Sequence, residues 1–297
     1  MVDNGSSDGT PDLVADRFPK VMLKRLQENA GFARGNNIGI EATDTEWVLT
    51  LNPDANLAGD FVERLLEFGQ NRPRIGMLGG KLFRADSAAA GDGIIDSTGI
   101  EIYLSRRVKD RDAGTREQDA HKVPDRVFGV CAAAALYKRE MLEDVSADGE
   151  FFPASFFCYY EDADLAWRAW RRGWEAWFVP AAWGWHRRGG APVGSRFSRY
   201  YTQRNRLWLV ARNEPLWKPL TALPALGWHE LLLGLRLIRY PYLLKAVWES
   251  IRGLPAVLRA RARLPEINRE PPPFHPGSGF SLKELVQALQ RKKSCNT

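Results

Sequence analysis

The run Phe156-Phe157-Cys158-Tyr159-Tyr160-Glu161-Asp162-Ala163-Asp164 places three carboxylates within four residues, directly after a row of aromatics. Acidic side chains at a helix start are favoured by the helix dipole, which accounts for some of them structurally. The aromatic neighbours make the surroundings apolar, and a carboxylate in such a setting has its pKa raised toward use as a general base. Arg168 lies four residues beyond Asp164, so Asp164 is expected to form an ion pair along the helix. Glu161 and Asp162 remain as the catalytic candidates.

A second carboxylate stands at Leu51-Asn52-Pro53-Asp54-Ala55, where an apolar run stops abruptly. A strand ending there puts Asp54 at the carboxyl edge of a sheet, where open α/β sheets take their ligands. It could hold Mg²⁺ or Mn²⁺ bridging a diphosphate, or simply close a Pro-Asp turn. His186, in Trp183-Gly-Trp-His186-Arg187-Arg188-Gly-Gly190, follows another strand. A role near metal or phosphate for His186, with Arg187 and Arg188, stands beside the commoner structural use of a single histidine.

Two small-residue motifs complete the set. Val2-Asp3-Asn4-Gly5-Ser6-Ser7-Asp8-Gly9-Thr10 lets backbone approach a ligand, and Asp3, Asn4, Ser6 and Asp8 can bond a base or ribose. An ordinary Asx-rich turn is the alternative. In Asn29-Ala-Gly-Phe-Ala-Arg34-Gly-Asn36-Asn37-Ile-Gly39, Arg34 and Asn36 stand at a helix start suited to an anion, or to a capped helix alone.

The elements that must position these residues alternate between strand and helix. Val21–Leu26 and the apolar Trp47–Leu51 read as strands, the latter buried and parallel. Asn36–Ala42 and Ala58–Gln70 read as helices, and Ile75–Phe83 as a strand. This rhythm predicts a mostly parallel sheet covered by helices. Arg84 to Asp125 is a long polar stretch, which inside a compact domain is functional or mobile. Order returns at Val127–Tyr137, at a helix Glu161–Arg172 ended by Gly173, and at a strand Trp174–Val179 closed by Pro180.

Composition narrows the classes. The chain has 297 residues, 44% hydrophobic and 26% charged, which excludes a fully disordered or collagen-like chain. Three cysteines without a CxxC pair argue against a disulfide scaffold and a four-thiolate zinc site, and fit a reducing, cytoplasmic setting. No signal peptide is visible at the start. The formal charge of +6 is uneven: residues 1–186 carry a net −8, whereas residues 187–264 carry +12. No nucleic-acid motif accompanies the basic block, so nucleic acid is not an expected partner. Its Trp and Leu content suits a membrane surface, or a helical subdomain packing those residues internally. No stretch of it reaches the ~20 uncharged apolar residues of a spanning helix.

Taken in order, VDNGSSDGT, NAGFARGNN, LNPDA, YYEDADLAWRAWRRGW and the later WH resemble the family 2 glycosyltransferases, in their rhamnosyltransferase-like branch of bacterial polysaccharide synthesis. The resemblance covers about residues 2–213. It implies a GT-A fold, an α/β nucleotide-sugar-binding domain over 1–213, with a basic helical extension at 214–264 and a linker and short helix at 265–297. It implies that Asp3 contacts the donor nucleoside and that Asn4, Ser6, Asp8, Arg34, Asn36 and Asn52 line the nucleotide-sugar site. Asp54 matches the last acidic position of a metal-binding DXD element, from whose strict form Asn52 departs. Glu161-Asp162 matches an acidic pair whose Asp is the base, and His186 a position that completes metal coordination. The implied reaction is a single inverting displacement from a nucleotide-diphospho-sugar, rhamnose among the candidates, to a saccharide or lipid-linked acceptor. It needs Mg²⁺ or Mn²⁺, with Arg187 and Arg188 on the diphosphate, at the inner face of the membrane. A degenerate, non-catalytic nucleotide-sugar binder is the second reading. Family members open with an apolar strand that this sequence does not show before Val2, so the chain as written is expected to be poorly stable and nearly inactive.

Overall fold

The computed structural model describes residues 1–85, 93–188, 194–214, 234, 236–265 and 274–275. The chain begins with β1 (Val2–Asp3), α1 (Thr10–Arg17), β2 (Lys24–Arg25) and α2 (Phe32–Glu41). β1 and β2 pair in parallel as a two-stranded sheet of their own. The strand expected over Val21–Leu26 shrinks to two exposed residues, whereas α2 starts four residues earlier than expected.

The main sheet has seven strands. Its path runs from β3 (Trp47–Leu51) through β10 (Ala134–Lys138), β5 (Ile75–Arg84) and β11 (Glu175–His186) to β4 (Ala55–Leu57). β6 (Ile95–Ser97) pairs with β5, and β9 (Asp125–Val127) with β11. The sheet is mixed: β5 and β11 run parallel, while β3, β4, β6, β9 and β10 each pair antiparallel. β3 therefore lies at the edge against β10, not inside a parallel array. Continuous apolar runs report burial rather than strand direction, which is why the expected parallel sense did not hold there.

The polar stretch Arg84–Asp125 contains short strands, β6, β7 (Ile100–Ile102) and β8 (Val108–Asp110), too brief for any period to show. β11 does not stop at Pro180. It continues to His186 across a register shift between Phe178 and Trp183, the kind of irregularity that accommodates a missing N–H. That continuation carries His186 to the end of β4, where Asp54 lies.

Helix α3 (Phe61–Gly69) packs on β11 and β5, burying Phe61 and Leu65. On the other side α4 (Arg139–Val145) and α5 (Glu161–Arg172) cover a core of Met77, Tyr137, Phe152, Leu165 and Phe178. α5 spans the expected residues and ends in Gly173 at φ 86, a left-handed cap. Fully buried Asp164 accepts bonds from Arg168 Nε at 2.9 Å, Arg212 Nε at 3.0 Å and Asn213 Nδ2 at 2.7 Å. The expected ion pair is thus joined by α6 (Arg196–Asn213), which fixes α6 to α5. α7 (Leu243–Arg261) packs on α6, with Trp208 Nε1 donating to Ser250 O at 2.9 Å. Trp217, Trp228 and nearly all of the linker and short helix expected over 265–297 lie outside the described residues.

Candidate active site

The two N-terminal motifs are joined by Asn4. Its Oδ1 accepts from Ala30 N at 2.8 Å, and its Nδ2 donates to Asn29 Oδ1 and Gly31 O, each at 3.1 Å. Asn4 is therefore committed to holding one motif against the other. Asp3 is buried at the end of β1 and accepts from Ser6 N at 3.3 Å, which tightens the turn. Asp8 is exposed and accepts from Thr10 N at 3.0 Å; its bonds to Thr10 hold its carboxyl below the ordinary range. Arg34 is exposed on the first turn of α2, while Asn36 Nδ2 donates to Phe32 O at 2.9 Å within the helix.

From α2 the chain of contacts leads to the carboxylate pair. Ala33 N donates to Phe157 O at 3.1 Å, and a Cβ on Gly31 would lie 2.5 Å from the Phe157 ring. Phe157, Tyr159 and Tyr160 all hold positive φ, at 67°, 65° and 73°. Left-handed backbone at bulky residues is strained and persists only where the surroundings over-determine it. Here the restraint is Asn205 of α6. Its Nδ2 lies 2.9 Å from Phe156 O, 2.9 Å from Cys158 O and 2.8 Å from Tyr159 O. Arg204 adds bonds to Ser155 O at 3.1 Å and Phe156 O at 2.8 Å. This loop delivers Glu161 and Asp162 to the start of α5.

Asp162 accepts from the Ala163 N–H at 2.8 Å. Burial, then the negative charge of Asp110, push its carboxyl up to about 6, against the opposing N–H groups of Ala163 and Ala132. Glu161 is buried, its Oε2 has no hydrogen-bond partner, and burial and then the Asp162 charge drive it well above the usual carboxylate range. Glu161 therefore favours its neutral form, which leaves Asp162 as the group that can be a base near neutral pH.

Across from this pair stands a polar chain. Arg188 donates through Nε to Asp96 and through Nη2 to Asp110 at 2.6 Å. Asp96 also lies 2.8 Å from His186 Nδ1. Burial alone would raise the Asp96 carboxyl, but the His186 bond and the Arg188 charge outweigh it and hold it below the ordinary range. With Nδ1 turned to Asp96, His186 presents Nε2 to Asp54 Oδ1 at 3.4 Å, with Asn52 Nδ2 3.5 Å away. The exposed Arg187 donates its backbone N–H to Asp54 O at 2.9 Å.

Asn52, Asp54, His186 and Arg188 are thus brought together, and Asp110 links them electrostatically to Asp162. Arg188 is bound by two carboxylates instead of standing open for phosphate; Arg187 is the exposed one. Asp96 and Asp110 were missed in the sequence. The available signal was an acid inside Ile94-Ile95-Asp96-Ser97, an apolar strand within a stretch already marked as too long for an idle loop.

Among the described residues no three His, Cys, Asp or Glu side chains form a ready metal cluster. Asp54 and His186 nevertheless fit a divalent ion. Two ligands at right angles on such an ion lie about 3 Å apart, close to the observed 3.4 Å. A carboxylate behind the imidazole is also the usual support of a metal-binding histidine.

Residues 1–146 match the family model Glycosyl transferase family 2. Over that stretch, just under half of its length, the chain is similar to the family 2 glycosyltransferases. Over 200 residues it is 28% identical to N-acetylglucosaminyl-diphospho-decaprenol L-rhamnosyltransferase of Mycobacterium tuberculosis, in each of two strains. That match covers 61% of this chain and 64% of the relative, so the chain spans under two thirds of the curated relatives' length. Among solved structures, GalNAc-T7 with UDP, GalNAc and Mn²⁺ aligns at a TM-score of 0.52 and 14% identity, over 71% of this chain and 41% of that one. The likeness is one of fold, and the α/β sheet flanked by helices is of the GT-A type.

Proposed function

We propose that this chain transfers a sugar from a nucleoside-diphosphate sugar to a hydroxyl of a lipid-linked saccharide, with inversion at the anomeric carbon. The observation that carries the reading is Asp162, a carboxylate raised to about 6 and facing the Asp54–His186 pair through Asp110 and Arg188. The M. tuberculosis relative, named for transfer of L-rhamnose to a diphospho-decaprenol-linked saccharide, supports the choice of acceptor.

Asp162 takes the proton of the acceptor hydroxyl as that oxygen bonds to the anomeric carbon. The bond from that carbon to the nucleoside diphosphate breaks, and its electron pair leaves with the diphosphate. Positioned base catalysis of this kind contributes ~10²–10⁴-fold. Asp54 and His186 would hold a divalent ion; an imidazole in the donor set favours Mn²⁺ over Mg²⁺. When bound, such an ion supplies positive charge to the leaving diphosphate. Arg187 and Arg34, both exposed, are the cations suited to the phosphates, and Asp3 with its turn to the nucleoside. Glu161 keeps its proton and leaves the base role to its neighbour. Free Cys131 and Cys158 suit a cytoplasmic setting.

The test is transfer from a panel of nucleotide-sugars onto a diphospho-polyprenol-linked N-acetylglucosamine. Asp162→Asn is expected to abolish transfer while donor binding survives. Unchanged turnover in that variant, or loss of donor binding with it, would overturn the assignment.

A further inference from the structure

The outer face of α7 is apolar where a water-facing helix should be polar. Its inner face buries Leu243, Ala246, Ser250 and Val257 against α6. Leu244, Trp248 and Ile251, at helical spacing, stay 57%, 62% and 56% exposed, and Pro255 extends the same stripe. Lys245, Arg252 and Arg259, all exposed and seven residues apart, run along one side of it. The helix's one acid, Glu249, accepts from Tyr200 of α6 through Oε2 and lies 3.8 Å from Lys245 Nζ through Oε1, so Arg252 and Arg259 are the cations of the row it does not meet. No described residue covers this face, and no described helix is long and apolar enough to cross a membrane.

We propose that this face docks on an anionic lipid bilayer, with α7 lying in the plane of the interface. Leu, Trp and Ile enter the headgroup–acyl boundary, and the row of cations meets the anionic headgroups. Charge decides against a second copy as occupant, because pairing two such faces brings like rows of cations together. The placement also serves the site. Near the start of α7, Arg196 stacks over Tyr242 at 4.7 Å, and its neighbour Phe197 meets Tyr159, two residues before Glu161, at 6.4 Å between ring centres. Phe197 is itself 44% exposed. The bilayer-facing surface thus adjoins an aromatic path to the base.

The experiment is flotation of the full chain with phosphatidylcholine vesicles, with and without phosphatidylglycerol. It needs neither donor nor acceptor, so its failure leaves the transfer reading standing. The chain is expected to float with the anionic vesicles and to be released by salt. Arg252→Gln with Arg259→Gln should weaken partitioning about 25-fold, at about fivefold per cation. Trp248→Ser with Ile251→Ser should weaken it about tenfold or more. Both pairs should melt as the parent does, since the residues are exposed. The proposal is overturned if the parent stays at the bottom with anionic vesicles at low salt, or if the variants float as it does. It is equally overturned if the parent is a dimer that the variants break, or if the variants lose several degrees of stability because another part of the chain covers the face.

Discussion

Replacing Asp162 by Asn should remove activity and raise stability, in a way that depends on pH. The carboxyl titrates at about 6 in the folded chain against an ordinary 3.8. Between those values the folded state binds more protons than the unfolded one, so stability falls as pH rises through that window. The charged form then costs about 3 kcal/mol at pH 8 but only about half as much at pH 5. Asn is neutral throughout and its Oδ1 can still accept from the Ala163 N–H, so it escapes this cost. The advantage of the variant should therefore grow by about 1 kcal/mol from pH 5 to pH 8, or about 2 °C in Tm at this size. Paired thermal melts of parent and variant at the two pH values read it directly. In the parent, kcat/KM should fall about tenfold per unit below pH ~6 as the base is protonated. A stability difference that is flat or shrinks toward pH 8 would refute the claim that Asp162 is held as a buried, destabilised base.

Three further substitutions probe the frame around it. Asn205→Ala frees the strained carbonyls of 156–159 and should cost about 2 kcal/mol of stability; kcat should drop more than donor affinity, which titration calorimetry and kinetics separate. Gly31→Ala places a methyl 2.5 Å from the Phe157 ring at a φ of 86°, and should destabilise by about 2–4 kcal/mol in urea unfolding. Asp96→Asn leaves Asp54 and His186 in place but withdraws the carboxylate behind the imidazole, so Mn²⁺ affinity with bound nucleoside diphosphate should fall about 10–100-fold by calorimetry.

What was legible in the sequence follows from length and local chemistry. α5 was readable to the residue, because an acidic first turn and a glycine after the last turn mark both its ends. Asp164 was separable from its acidic neighbours by the i+4 arginine, although Arg212 and Asn213 arrive from another helix and leave no local mark. β11 was cut short at Pro180, because a bulge that tolerates proline depends on the partner strand. Asp96 and Asp110 sit on strands of three residues, where no alternation can be seen, and their meeting with Arg188 and His186 is a product of tertiary pairing. Asn4 reads as a ligand-binding residue from its motif, yet its partners lie 25–27 residues away in the second motif. The outer face of α7 showed its Leu, Trp and Arg in sequence, but which side met α6 needed the packing.

A divalent ion and a nucleoside diphosphate are expected to meet beside Asp162. Thermal melts with UDP, dTDP and GDP, each with and without Mn²⁺, test this for the parent, Asp54→Ala and Asp162→Asn. Ligand at ~100 times its Kd adds about 2.7 kcal/mol, a shift of several degrees. The predicted result is a shift with one nucleotide that requires Mn²⁺, disappears in Asp54→Ala and persists in Asp162→Asn. A parent that ignores all three nucleotides, or a shift that needs neither Mn²⁺ nor Asp54, would contradict it.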